Sequence, residues 1–242
     1  MRCFIRLFIT FYILISIAAP AVSDKVAEEI VLNTADTPPF SNQEGSGFYD
    51  LIMQEAFARI DRSIKTIQLP SQRSILNANA GITDGEFGRV AGMSSRYSQL
   101  HIVDEPLADF GFCAFSKNRN ITMSAWSDLS EYSIAFISGW KVLEENITTA
   151  KRLHTVTNEE SLFAMLEADR VDLIIYNCRR GKYYLSINHI VDIYPLEPKL
   201  ANRKMYLYLH ESQMQLIPQL EQVLRGMKND GTLAQIEELA FE

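Results

Sequence analysis

The chain has 242 residues, of which 23 are lysine or arginine and 30 are aspartate or glutamate, giving a formal net charge of −7 at pH 7. An acidic chain with scattered charges lacks the basic surface that nucleic-acid binding requires, so a nucleic-acid-binding function is excluded. Hydrophobic residues make up 47% of the sequence, and the length suits one large domain or two smaller lobes.

The N-terminal segment, residues 1–23, has the pattern of a cleavable secretory signal peptide. Arg2 and Arg6 form a basic region, residues 7–18 an apolar core, and residues 19–21 a small-residue cleavage site. The apolar core is short for a membrane span of about 20 residues, although an uncleaved anchor is the alternative. We expect an exported, periplasmic protein without a second membrane segment.

Predicted strands and helices alternate along the rest of the chain. In chain order the sequence predicts strand 30–33, helix 52–60, strand 64–69, helix 71–79, strand 83–87, strand 110–115, a helical turn at 126–129, strand 133–137, helix 141–147, helix 159–168, strand 171–176, strand 191–194 and strand 205–209. Such alternation is typical of an α/β fold with mostly parallel sheets flanked by helices. Ligands of these sheets bind beyond the carboxyl ends of the strands, so functional residues are expected directly after the strands.

The C-terminal segment predicts two helices separated by a turn. Apolar residues recur at steps of three and four over residues 216–227, which is the period of an amphipathic helix. Gly231, at the end of an Asn-Asp-Gly turn, is suited to the left-handed conformation that ends helices. Thr232 and Gln235 predict a capping box for the second helix.

Cys113 and Cys178 are the two cysteines that remain after the signal peptide. An even number of cysteines in an oxidising compartment permits a disulfide. Each of these residues lies in an apolar, strand-like segment, however, where a buried free cysteine is equally ordinary. We therefore expect two separate thiols rather than a disulfide.

Six motifs follow one another along the chain. They are ADTPPF at 35–40, FYDL at 48–51, WSDL at 126–129, NEESL at 158–162, DRVD at 169–172 and the helix–NDG–helix end at 216–241. In this order and spacing they resemble bacterial family 3 solute-binding proteins, the two-lobed periplasmic receptors of amino-acid-type ABC transporters. The resemblance spans nearly the whole chain after the signal peptide.

The resemblance implies a type 2 periplasmic-binding fold, in which each lobe is a mostly parallel sheet flanked by helices and two hinge strands join the lobes. Lobe 1 would hold residues 24–111 and 206–242 and lobe 2 residues 112–205, with hinge strands near 112–116 and 204–209. Closure of the lobes around a ligand would shift an open–closed equilibrium. The implied partners are a small carboxylate-bearing ligand and an ABC permease, and the protein would act as a monomer without a cofactor or metal.

The resemblance also indicates which residues would hold the ligand carboxylate. In the family, a T-x-x-R segment supplies an arginine, whose planar fork can grip a carboxylate with two hydrogen bonds. Neither Arg89 nor Arg96 lies in such a segment here, so both are candidates. Arg89 is preferred because it directly follows a predicted strand, and Arg73 is a third candidate. The alternative for each is a solvated surface charge.

Asn177 stands where the family commonly places an aspartate that pairs with the α-ammonium group of the ligand. Asparagine accepts a hydrogen bond but carries no charge, so the ligand need not be a standard α-amino acid. The neighbouring Arg179 and Arg180 suggest an anionic group on that side of the ligand. The alternative is that Asn177 caps the N-terminus of a helix.

Aromatic residues at junctions between strands and helices are expected to form the apolar walls of a small-molecule site. These residues are Phe40, Tyr49, Trp140 and Tyr176. Each of them alone is more often a core residue than the wall of a ligand site. Trp140 is preferred because it follows Ser-Gly at a predicted helix start, where backbone N–H groups also favour an anion.

Sequence signatures of enzymes are absent from the chain. Its four histidines lack metal-binding spacing, and neither a G-x-S-x-G elbow nor a phosphate-binding loop occurs. The sequence therefore predicts a solute-binding protein without catalytic residues. The alternatives are an enzyme on the same fold, such as a small-molecule dehydratase, and a ligand-sensing partner of a membrane receptor.

Overall fold

The computed structural model describes residues 29–123 and 125–241, so the expected signal peptide lies outside the described residues. The strands in these ranges are β1 Ile30–Thr34, β2 Ile64–Gln68, β3 Gly85–Arg89, β4 Leu100–Ile102, β5 Ala108–Ser116, β6 Ser133–Ile137, β7 Arg152–Val156, β8 Leu173–Asn177, β9 Tyr194–Pro195 and β10 Ala201–His210. The helices are α1 Phe48–Ala58, α2 Ser71–Asn79, α3 Lys141–Asn146, α4 Glu159–Glu167, α5 Cys178–Ile187, α6 Ile217–Asn229 and α7 Thr232–Phe241. Short 3₁₀ helices occur at Met93–Ser95, Trp126–Glu131 and Glu211–Leu216.

Two sheets, each with a parallel core, are joined by a pair of antiparallel strands. The strand order is β2-β1-β3-β10-β5-β8-β6-β7, with β4 beside β10 and β9 beside β5. β1, β2 and β3 are parallel in the first sheet, and β6, β7 and β8 are parallel in the second. The predicted α/β fold with two lobes is therefore confirmed.

The connection between the two sheets runs through β5 and β10. Residues 201–205 of β10 pair with residues 108–112 of β5, whereas residues 206–209 of β10 pair with β3. The same strand therefore belongs to one lobe at its start and to the other at its end. This connecting ladder lies a few residues N-terminal to the expected hinge segments, and the lobe boundaries themselves stay a prediction.

Each lobe has its own hydrophobic core. In the first lobe, the fully buried side chains Ile52 of α1 and Leu220 of α6 pack against the sheet, to which the fully buried Leu207 of β10 belongs. In the second lobe, α4 packs on the sheet through Leu162 and Phe163, which are also fully buried. Burial of apolar surface stabilises a protein by about 25 cal/mol per Å². Packing of these apolar helix faces therefore stabilises the helices far more than their intrinsic helix propensity does.

The helical C-terminus has the predicted turn but not the predicted cap. Gly231 has a φ of +85° and separates α6 from α7, as expected. Thr232 is the first residue of α7, and its hydroxyl donates to Asp230 Oδ1 at 2.6 Å. The predicted capping box was therefore wrong, because Thr232 lies within the helix and its hydroxyl and backbone N–H both donate to Asp230.

Three elements were not predicted, namely β4, β7 and α5, and β9 is shorter than expected. β7 lies at the end of the sheet and only one of its faces is partly covered, so it lacks a strong apolar pattern. α5 buries few apolar side chains, and two arginines directly follow its first residue. The predicted strand 191–194 shrinks to Tyr194–Pro195 because Val191 is 80% exposed.

The two cysteines form a disulfide, so the expectation of two separate thiols was wrong. Their Sγ atoms are 2.05 Å apart and their Cα atoms 5.0 Å apart. β5 and β8 are antiparallel neighbours in which Cys113 pairs with Tyr176 and Phe112 with Asn177. Cys178 follows directly and turns back over β5 as α5 begins. The sequence showed two apolar segments but not that they are neighbours.

No helix within residues 29–123 and 125–241 is long and apolar enough to cross a membrane.

Candidate ligand-binding cleft

Residues that follow strands of both lobes meet between the two sheets. Asp36 lies two residues after β1, and Arg180 lies in the first turn of α5, directly after β8. An Asp36 Oδ1 atom and an Arg180 guanidinium nitrogen are 3.7 Å apart, so an ion pair spans the lobes. This is the position at the carboxyl ends of strands where α/β sheets bind ligands.

Aromatic rings form a continuous path across the same cleft. The ring of Phe40, in the loop after β1, lies 5.4 Å from that of Phe110 on β5. Phe110 lies 6.0 Å from Trp140, which stacks on Tyr176 at 5.2 Å. Tyr49 stacks on Phe40 at 5.0 Å. The four aromatic residues expected from the sequence are therefore connected through Phe110, which sequence reasoning missed, and Phe40, Tyr49 and Tyr176 are fully buried members of the hydrophobic cores.

Asp36 lies close to the backbone of Gly88. The Asp36 side chain is 13% exposed, and a Cβ on Gly88 would lie 1.9 Å from Asp36 Oδ2. Gly88 also has a φ of +79°, which disfavours any other residue there. The loop after β1 can therefore place its carboxylate over β3 only because residue 88 is a glycine.

Burial raises the pKa of Asp36 from 3.8 to about 6. The positive charges of Arg180 and Arg89 lower this pKa, whereas the carboxylates of Glu86 and Asp50 raise it. Desolvation of the carboxylate is the largest of these effects. Asp36 therefore changes its charge in a mildly acidic range.

This titration predicts a pH dependence of stability that Asp36→Asn should remove. The folded state binds the proton more tightly than the unfolded state, so the free energy of unfolding falls as pH rises from 3.8 to about 6. Between about pH 4 and pH 7, we expect the wild type to lose about 2–3 kcal/mol relative to Asp36→Asn. Denaturant unfolding of both proteins measures this difference, and parallel pH profiles would contradict it.

Three buried polar atoms in or beside the cleft have no hydrogen-bond partner. They are the hydroxyl of Tyr49, Oε2 of Glu86 and Nε of Arg180. Burial raises the pKa of the Tyr49 hydroxyl well above its ordinary value, so this group stays a neutral donor. Because buried polar groups are nearly always paired, this set is suited to a polar ligand.

Arg89 lies at the end of β3, as predicted, but its guanidinium is already occupied. Its Nε donates to Glu86 Oε1 at 2.7 Å, and its two terminal nitrogens donate to the Ser71 hydroxyl and carbonyl oxygens at 2.9 Å. Glu86 is fully buried and also accepts from Ser74 at 2.6 Å. Burial raises the pKa of Glu86, whereas Arg89 lowers it.

The other two candidate arginines are exposed. Arg96 follows the 3₁₀ helix Met93–Ser95, and its guanidinium lies 5.8 Å from the centre of the Tyr97 ring. Arg73 lies in the first turn of α2 and is likewise exposed. The structure therefore does not bring the three arginines together around one anion.

Asn177 has the capping geometry that was its alternative interpretation. Its Oδ1 accepts from the Arg180 backbone N–H at 2.9 Å, and its Nδ2 donates to the Gly111 carbonyl oxygen at 2.9 Å. Tyr176 precedes it, and the Tyr176 hydroxyl donates to Glu159 Oε2 at 2.7 Å. Asn177 thus orients α5, which carries Arg180 toward the cleft.

An apolar cavity of about 330 Å³ opens between the lobes beside the aromatic path. It is lined by Val90, Phe110, Phe112, Trp140, Val142, Glu145, Arg203 and Met205. Among residues 29–123 and 125–241, no group of three or more His, Cys, Asp or Glu side chains is arranged to hold a metal ion.

Sequence reasoning did not assign Asp36, Glu86 or Phe110 to the site. Asp36 belongs to the ADTPPF motif and follows a strand, so its position could have indicated a cleft residue. Glu86 and Phe110 lie within strands, where the sequence gives no sign that they face the cleft.

Comparison of the chain with known proteins shows which fold it has. No family model matches the chain. An uncharacterized protein of Shewanella oneidensis is 24% identical over 208 residues, which cover 79% of this chain and 75% of that protein.

Solved structures match the chain over most of its length at low sequence identity. The second substrate-binding domain of a Streptococcus pneumoniae protein assigned as an amino acid ABC transporter matches with a TM-score of 0.72 at 16% identity, over 89% of this chain and all of that domain. The chain has a periplasmic-binding-protein fold. The same fold occurs in an ancestral cationic amino acid solute-binding protein, with a TM-score of 0.70 at 18% identity over 88% and 96% of the two chains. It also occurs in a histidine kinase sensor domain, with a TM-score of 0.66 at 15% identity over 88% and 95%. The resemblance inferred from the motifs is thus confirmed at the level of the fold.

Proposed function

We propose that this protein is an exported solute-binding protein that captures a small carboxylate-bearing ligand, an amino acid or a related polar solute, between its lobes. The observation that carries this proposal is the meeting of strand-end residues from both sheets, with Asp36 and Arg180 3.7 Å apart. A ligand in this cleft contacts both lobes only when they are close together. Binding therefore favours the closed state over the open one.

The lobes in this proposal are residues 24–111 with 206–242, and residues 112–205. β5 and β10 cross between them and act as the hinge. Two strands can bend without disturbing either core, since each lobe has its own set of buried side chains. In hinge closure of this kind, a few residues absorb the changes in backbone angles while each lobe moves as a rigid body.

The aromatic path supplies the walls of the proposed site. Phe40 and Tyr49 contribute from lobe 1, and Trp140 and Tyr176 from lobe 2. Asn177 contributes by holding the start of α5. Such a combination of apolar walls and a few polar groups is typical of small-molecule sites.

The three arginines differ in how readily each could bind the ligand carboxylate. Arg89 lies nearest to the cleft residues, since its charge acts on Asp36, but a ligand would have to share it with Glu86. Arg96 and Arg73 are exposed and reach a ligand only if their loops rearrange.

The proposed setting is the periplasm, and the proposed partner is an ABC permease that recognises the closed monomer. The signal-peptide pattern supports export. The structural match to a domain assigned to an amino acid ABC transporter supports an uptake role.

A ligand screen combined with scattering tests the proposed function. A thermal-shift screen against amino acids, dicarboxylates and opines should find a stabilising ligand, because binding at 100 times Kd adds about 2.7 kcal/mol of stability. The scattering radius of the protein should then decrease at saturating ligand. A ligand that stabilises the protein without changing the radius would contradict lobe closure.

The same screen distinguishes the alternative functions. A mass change of the bound ligand would indicate an enzyme, and the precursor of cyclohexadienyl dehydratase that shares this fold makes this control necessary. Binding of the ligand-loaded protein to a receptor rather than to a permease would indicate a sensor.

A further inference from the structure

The guanidinium of Arg179 connects lobe 2 to the C-terminal helix of lobe 1. Arg179 is the second residue of α5, and its Nε donates to Glu237 Oε1 of α7 at 3.1 Å. One terminal nitrogen donates to the same carboxylate oxygen. The other terminal nitrogen donates to the Asp109 carbonyl oxygen on β5 at 2.5 Å. All three nitrogens are therefore bonded to residues assigned to lobe 1.

Two aromatic rings of lobe 1 lie against the same guanidinium. The ring centres of Phe48 and Phe241 are 5.3 Å and 5.4 Å from it, within the distance of cation–π attraction. The two rings are 5.0 Å apart, and Phe48 is buried. α7 itself packs on α1 and α6. Glu237 and Phe241 are thus held by the body of lobe 1.

The start of α5 is held by lobe 2 in the same way. Cys178 is bonded to Cys113, and the Asn177 side chain accepts from the Arg180 backbone N–H. When lobe 2 rotates about β5 and β10, it therefore carries Arg179 with it. The carboxylate and the two rings stay with lobe 1, so separation of the lobes breaks these contacts.

The ion pair between Arg179 and Glu237 crosses a gap between the lobes. Both residues line a cavity of about 510 Å³ between α7 and the strands β5 and β10, and both line another of about 370 Å³ between α5 and α7. Within residues 29–123 and 125–241, every hydrogen bond between α5 and α7 involves Arg179. The contact therefore depends on this side chain rather than on close packing of the two helices.

Arg180, the next residue, meets lobe 1 more loosely. Its guanidinium is 3.7 Å from Asp36, beyond ordinary hydrogen-bond distance. Arg179 instead makes charge-assisted hydrogen bonds, which are stronger than neutral ones. The sequence suggested that both arginines face an anionic group of the ligand, whereas in the structure each faces a carboxylate of lobe 1.

We propose that Arg179, with Glu237, Phe48 and Phe241, forms a latch that favours the closed arrangement of the lobes and thereby raises the affinity of the cleft without contacting the bound solute. This inference rests on the proposed hinge closure and names a contact that controls it. A protein without the latch uses more of the binding free energy of a solute to close its lobes. The apparent Kd rises as the closed fraction of the free protein falls.

Small-angle scattering of the mature protein without any added solute tests the latch directly. Arg179→Ala and Glu237→Ala should each give a larger radius than the wild type, because the lobes separate more often. The Glu237 side chain is 48% exposed and alanine suits a helix, so Glu237→Ala keeps the fold. Circular dichroism checks this, and a folded Glu237→Ala variant with the wild-type radius overturns the inference.

Matched controls remove an exposed charge from the same two helices. They are Lys182→Ala on α5 and Glu238→Ala on α7, and both should keep the wild-type radius. An equal increase in the controls overturns the inference, since general loosening of the helices then explains it. Arg179→Lys keeps the charge but loses the planar fork, so its radius should lie between those of Arg179→Ala and the wild type.

Calorimetry measures the effect on affinity, with the amino acid or dicarboxylate that stabilises the wild type most in the thermal-shift screen as the probe. Glu237→Ala should raise its Kd about tenfold, and Glu238→Ala should leave it within about threefold. At saturation, Glu237→Ala should reach the wild-type radius, because the solute then closes the lobes alone. An unchanged Kd overturns the inference. A screen without a hit contradicts the proposed function alone, since the scattering of the free protein still decides on the latch.

Discussion

Replacing Cys113 and Cys178 together by alanine is expected to lower the free energy of unfolding by about 4 kcal/mol. The disulfide closes a loop with a sequence separation of 65 residues. A cross-link of this span removes conformational entropy from the unfolded chain, and the cost of losing it grows slowly with loop length. Denaturant unfolding of the oxidised wild type and the double variant measures the difference.

Reduction of the wild-type protein is the matched control, because it breaks the same bond without removing the two sulfur atoms. The reduced protein and the double variant should therefore show similar stabilities, apart from the small cavity that alanine leaves. Thiol titration of the unfolded, unreduced mature protein should find neither cysteine free. Two reactive thiols per chain would contradict the disulfide.

The disulfide also matters for the cleft because of where α5 begins. Cys178 is the first residue of this helix, and Arg180 follows two residues later. The covalent bond holds the helix start to β5, while the Asn177 side chain caps it. The Arg180 guanidinium, which meets lobe 1, is thus positioned by the disulfide at Cys178 and by the neighbouring Asn177 cap.

Elements with a strong local pattern could be predicted from the sequence. The helix from Ser71 to Asn79 and the strand from Ser133 to Ile137 have the predicted bounds, since each combines a clear apolar period with distinct ends. α5 and β7 could not be predicted in this way. Their stability comes from neighbours that are distant in the sequence, which a local pattern does not contain.

The same distinction applies to the site. The position of Arg89 at a strand end followed from the chain order, and the structure places it there. Its partner Glu86 did not follow, because strand residues alternate between two faces and the sequence alone does not show which face a second lobe covers. The contact between Asp36 and Arg180 depends on both lobes and on residues 144 positions apart in sequence, so only the three-dimensional structure shows it.

Arg89→Ala is expected to lower the free energy of unfolding by about 3–5 kcal/mol, as is typical when one partner of a buried ion pair is removed. Glu86 is fully buried, and Arg89 is the cation that donates to it. Without Arg89, the carboxylate keeps only the hydrogen bond from Ser74, and its pKa should rise further. Denaturant unfolding at about pH 7 measures the loss, and Arg96→Ala, an exposed control, should change stability by no more than about 0.5 kcal/mol.

The double variant Arg89→Ala/Glu86→Gln separates the structural role of Arg89 from a role in ligand binding. Its stability should recover most of the loss, because the buried charge is gone and the amide of glutamine can still accept from Ser74. If Arg89 does not hold the ligand carboxylate, this stable double variant should bind the carboxylate ligand found in the thermal-shift screen within about threefold of the wild type. A loss of about 30-fold or more in the double variant would instead place the carboxylate on Arg89, as the sequence alone predicted.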